Sequence, residues 1–124
     1  EMLDDRPMEF SRVHPDFDGK QHRFGYLLND GRLNNYFKHD FEKSETIAHD
    51  FGESCQAAEP VFIPRKNAKS EDDGFVVGFV YDQTTDLSDF VVLDAQNFSD
   101  APLARVTLPQ RVPFGFHGSW INLD

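Results

Sequence analysis

The stretch GFVVGFVYD, residues 74 to 82, constrains the fold more than any other part of the chain. Its apolar run is short and rich in Val and Phe, and its neighbours are acidic turn formers. It therefore fits a buried strand better than a helix, which needs a longer periodic pattern. QTTDLSD, residues 83 to 89, then reads as a turn and FVVLDA, residues 90 to 95, as the antiparallel return. QNFSDAP forms a second polar turn, and LARVTLP, residues 103 to 109, a third strand closed by Pro109.

The middle of the chain repeats the scheme. NNYFKHD, the turn FEKSE and TIAHDF make another hairpin before EPVFIPR, residues 59 to 65, while RKNAKSEDDG, residues 65 to 74, is a charged loop. KHDFEKSETIAHDF and VLDAQNFSDAPLARVTL share a layout of strand, Asp, polar turn and strand. Successive meanders of this spacing are the sequence mark of propeller blades, although sandwiches and barrels look similar. With 13 Phe against 2 Met and no amphipathic helix of three turns, the expectation is one all-β domain of antiparallel meanders over residues 1–124.

Charge narrows the function classes. Asp and Glu number 22 against 12 Lys and Arg, a net charge of -10, with no basic stripe, so nucleic acid is not an expected partner. No apolar run approaches the roughly 20 residues that span a bilayer, and EMLDDRPMEF lacks the pattern of a signal peptide. Cys55 is the only cysteine, which rules out an internal disulfide and points to a reducing compartment such as the cytoplasm. The first residue is Glu1, and the first ten residues carry no evident structural role, as expected of a processed chain or a piece of a longer one.

Familiar motifs are absent: there is no HExxH, GxSxG, P-loop, GxGxxG or CxxC. Of the five histidines, His117 stands apart, because Gly115 and Gly118 flank it and Phe114, Phe116 and Trp120 offer a dry wall. Such a histidine needs a partner for each ring nitrogen, either a backbone carbonyl or a metal. Glu59, before Pro60 and a VFI strand, is placed either as a solvated carboxylate or to hold a histidine Nδ1–H. His14, His22, His39 and His49 have polar neighbours and read as surface or structural residues.

Four segments in order, MEFSRVHP with GKQHRFGY, EPVFIPR, EDDGFVVGFVYD with VVLDA, and LPQRVPFGFHGSW, resemble the C-terminal part of the carotenoid cleavage oxygenase family, from about Met8 onward. Ser11 departs from that pattern, which usually has proline there, and loosening of one turn is expected. The resemblance implies that the chain forms the last blades of a seven-bladed β-propeller. It implies an iron(II) cofactor held by four histidines, with His117 matching the last ligand and Glu59 a carboxylate that orients a ligand ring. It further implies dioxygen and a small hydrophobic polyene or stilbene-like molecule as substrates, with Phe114, Phe116 and Trp120 as candidates for the substrate wall.

The other three ligands fall outside the chain on this reading, and membrane contact is left open. The 124 residues alone are expected to be inactive and poorly stable, since one histidine holds iron weakly and missing blades leave faces and edges uncovered. The alternative is a non-catalytic all-β binding or structural module derived from such an enzyme. An isomerohydrolase outcome on the same scaffold is a third possibility.

Overall fold

The computed structural model describes residues 4–123. Residues 1–3 and 124, the outermost positions of the expected domain, lie outside the described residues. Among the described residues nine strands form, in chain order β1 (Met8–Arg12), β2 (Phe24–Asn29), β3 (Asn35–Asp40), β4 (Glu45–Asp50), β5 (Cys55–Ala57), β6 (Val61–Pro64), β7 (Gly74–Asp82), β8 (Leu87–Asp94) and β9 (Ala104–Thr107). The one helical element among the described residues is a short 3-10 turn, Pro15–Phe17. Among the described residues no helix is long and apolar enough to cross a membrane.

The strands divide into two antiparallel meanders. The first sheet runs β1-β2-β3-β4. In the second, β7 pairs with β8 and β8 with β9, while the other edge of β7 is shared by β5 at its end and β6 at its start. β5 and β6 are thus one interrupted edge strand, broken where Glu59 and the buried Pro60 lie between them.

Aspartates set where the strands stop. Asp40 Oδ1 accepts from the backbone N–H groups of Glu42 and Lys43, and Asp82 Oδ1 accepts from that of Thr84. Each closes a four-residue turn whose last member has a positive φ, Ser44 at 54° and Asp86 at 55°, the αL residue of a bulged hairpin loop. The 83–89 turn expected from sequence is therefore shorter, and Leu87, Ser88 and Asp89 belong to β8.

Strand alternation decides what each face meets. On β7, Val76, Gly78 and Val80 face the first sheet, whereas Val77, Phe79 and Tyr81 face away. The core between the sheets gathers Phe24, Tyr26, Leu28 and Tyr36 from the first with Phe62, Val76, Val80, Val91 and Leu93 from the second. Tyr26 stacks on Phe62 with ring centroids 5.1 Å apart. A Cβ at Gly78 would collide with the Tyr36 hydroxyl, which itself donates to the Ala58 carbonyl at 2.7 Å.

The EDDG segment closes the same interface by charge. Glu71 accepts from the backbone N–H groups of Arg23 and Phe24 at the head of β2. Asp72 pairs with Lys38 at 2.7 Å, Lys38 also donates to the Ala95 carbonyl, and its ammonium lies 4.3 Å over the Phe24 ring. Asp73 pairs with Arg65 and accepts from the Lys69 N–H.

Several expectations are corrected here. Of the first ten residues, expected to have no structural role, those from Arg6 onward do have one: β1 pairs with β2 from Met8, and Arg6 stacks 4.5 Å over Phe37. Ser11 lies in a bulged strand, between the Glu9 and Arg12 pairings, and not in a turn. His14, His39 and His49 are buried, and each ring finds a partner: the Asp16 N–H, the Thr46 hydroxyl and the Phe98 carbonyl respectively. Of the surface or structural roles expected for them, these three take the structural one.

Candidate functional site

After β9 the chain turns back and lies across the outward face of the second sheet. Val112 N–H donates to the Ser88 hydroxyl, and Phe114 meets Tyr81 edge-on at 6.0 Å. Beyond them a cleft of about 410 Å³ opens between the sheet, through Val61, Val77, Phe79 and Phe90, and the C-terminal segment, through Pro113, Phe116 and Trp120. Glu59 and His117 line the same cleft.

Glu59 is the fixed point of this cluster. Because it precedes proline it is extended, and its side chain is only 4% exposed. Its carboxylate accepts from Arg12 Nε at 2.8 Å and Nη2 at 3.0 Å, from the Gly118 N–H at 2.8 Å and from His117 Nδ1 at 3.3 Å. Burial alone would push its carboxyl upward, but the Arg12, Gly118 and His117 hydrogen bonds outweigh it and hold the group below the ordinary glutamate value. Glu59 is thus ionised and accepts only, so His117 Nδ1 carries a proton and Nε2 is the ring nitrogen left to meet a ligand. The Phe10 ring meets His117 edge-on at 5.6 Å.

The expected site residues thus fall into two groups. His117, Glu59, Phe116 and Trp120 share the cleft, while Phe114 lines a smaller adjoining pocket with Tyr81 and Ser88, since its ring is held between Tyr81 and the Arg111 guanidinium. The site is also not the dry, buried one expected: the His117 side chain is 71% exposed, and Phe116 and Trp120 are open to solvent. Nor do the flanking glycines supply special geometry, since a Cβ at Gly115 or Gly118 would meet nothing within 4 Å and neither has a positive φ. His14, His22, His39 and His49 do not line the cleft.

A metal would find in these residues a suitable single donor. His117 offers an imidazole whose Nδ1 is anchored by a carboxylate, the arrangement that orients a ring for ligation through Nε2. Among the described residues no group of three His, Cys, Asp or Glu gathers around one point. Arg12, which completes the cluster, escaped sequence reasoning. It lies 47 positions from Glu59, and no local pattern in MEFSR signals that pairing.

Known proteins of this shape and sequence agree with one another. Over 99% of its length the chain superposes on 27% of cobalt-substituted Synechocystis apocarotenoid oxygenase, with TM-score 0.94 and 29% identity. In that architecture, a seven-bladed β-propeller, the two sheets are blades. The chain is 36% identical to the zeaxanthin 7,8(7',8')-cleavage dioxygenase of Crocus sativus over 98% of this chain and 36% of that protein. It is 34% identical to the carotenoid cleavage oxygenase of Mycobacterium tuberculosis over 97% of this chain and 26% of that one. It therefore spans between about a quarter and a third of such relatives. With the family model for retinal pigment epithelial membrane protein matching residues 1–122, the blades, the cleft and the PFGFHG segment have one common source, and the chain belongs to that family, the carotenoid cleavage oxygenases.

Proposed function

We propose that the chain is part of a non-haem iron(II) dioxygenase that cleaves a carbon–carbon double bond of a carotenoid, apocarotenoid or stilbene-like substrate into carbonyl products. The observation that carries this reading is the Glu59–His117 pair on an apolar cleft. The relatives' names, all of carotenoid or apocarotenoid cleaving enzymes, support it.

In this reading His117 holds the iron through Nε2, with further ligands from outside these 124 residues. Neutral imidazoles suit iron(II). When bound, the iron supplies the redox chemistry that lets dioxygen react with an alkene. Glu59 keeps the proton on Nδ1 and the ring in place. Val61, Val77, Phe79 and Phe90 present an apolar floor to a long polyene, and Phe116 and Trp120 add apolar contact along its open side, so that shape positions the scissile bond.

The test is turnover by the longer protein that this reading requires, with an apocarotenal or a stilbene under labelled dioxygen. Two carbonyl products per alkene, with label in at least one and both lost in His117→Ala, are expected. An isomerised or hydrolysed product without oxygen uptake would point to the isomerohydrolase outcome. A protein that neither binds iron nor turns over would be the non-catalytic module.

A further inference from the structure

Arg12 is the charged member of the cluster to which the proposed chemistry assigns nothing. Its guanidinium forks onto both oxygens of Glu59, at 2.8 and 3.0 Å, and the same Nη2 donates to the Gly118 carbonyl at 2.7 Å. Gly118 in turn returns its N–H to Glu59 at 2.8 Å. Arg12, Glu59 and Gly118 therefore close a ring of charge-assisted bonds around the residue that follows His117.

Two details separate this ring from an ordinary strut. Glu59 Oε1 is shared: it takes the Arg12 Nε–H at 2.8 Å and the His117 Nδ1–H at 3.3 Å. The permanently charged donor has the shorter bond, so it limits how strongly Glu59 draws on the imidazole proton. The second detail is the strand that delivers it. β1 bulges between its Glu9 and Arg12 pairings, with Phe10 at φ 52°, and presents both Phe10 to the His117 ring and Arg12 to Glu59.

We propose that Arg12 is a positioning residue for the metal ligand His117, acting through Glu59 to fix the ring and to moderate the pull of the carboxylate on Nδ1–H. This rests on the reading of His117 as an iron ligand. A Lys at the same position would keep the charge and lose the fork.

The test uses the longer protein loaded with Co(II), whose visible absorption reports the ligand field, and the rate at which a chelator removes the metal. Arg12→Met is expected to speed release by about ten- to a hundredfold and to shift the cobalt bands, with Arg12→Lys in between. In a Glu59→Gln background the same Arg12→Met change should alter release by no more than about twofold, because its route runs through Glu59. Release and bands equal to wild type in Arg12→Met, with only a lower melting temperature, would overturn the proposal, as would an equal effect in both backgrounds. His117→Ala separates the two readings. If it abolishes the cobalt bands while Arg12→Met leaves them unmoved, the role of Arg12 alone falls; if it keeps wild-type bands and release, both readings fall.

Discussion

At Glu59 a charge stays out of water because four donors surround it, and every one of them comes from a distant part of the chain. An amide there can accept on one side only and turns an NH₂ group toward the Arg12 guanidinium. Glu59→Gln is expected to lower stability by about 1–3 kcal/mol, the cost of leaving buried donors unpaired, as a reduced midpoint in denaturant titration. Unchanged stability would mean that the bonds from Arg12, His117 and Gly118 to Glu59 do not hold the fold. Gly74 is a second residue with a single reason for its identity, since a Cβ there would collide with the Ile63 carbonyl and the Phe62 ring. Gly74→Ala should cost about 1–3 kcal/mol by overpacking, read as a fall in the same midpoint.

Among the elements, the link between the sheets is part apolar and part ionic. Lys38 is nearly enclosed, with its side chain 7% exposed, and Asp72 is its only carboxylate partner among the described residues. Asp72→Ala should destabilise by about 3–5 kcal/mol because a buried ammonium loses its counter-charge, and Lys38→Met in the same chain should recover most of that loss. Additive losses in the double variant would show that the two residues act separately.

Elements also differ in how far sequence revealed them. β7 was legible to the residue because Gly, Val and Phe alternate between acidic turns. β5 was not, having three residues and no pattern, and the MEFSR strand is interrupted by its bulge. His117 and Glu59 were singled out by local neighbours, but their contact spans 58 positions, and no local rule reaches that far. Burial of the three structural histidines was hidden for a related reason. Their partners are a hydroxyl across a hairpin, a carbonyl from the loop between β8 and β9 and a nearby backbone N–H, and polar sequence neighbours say nothing of these.

Taken whole, the chain is acidic, with a net charge of -10, and several of its carboxylates are paired with Arg or Lys. Arg23 and backbone N–H groups hold Asp40 down at about 2, and Asp72 lies below the ordinary aspartate value because Lys38 outweighs its burial. Depressed carboxyls stabilise the fold above the unfolded aspartate value, about 3.9, and that contribution is lost as pH falls through their folded values. Stability should therefore hold near neutrality and decline from about pH 4 toward 2, with Asp72→Asn flattening the decline. Chemical denaturation at stepped pH measures it, and a flat profile over that window would contradict the ion-pair account.

The central claim is that His117 is a metal ligand, and metal content tests it most directly. Purified under iron(II), the longer protein should hold one iron per chain, and the same protein with His117→Ala should lose it while keeping its β-sheet circular dichroism. One iron per chain retained in His117→Ala would contradict the account.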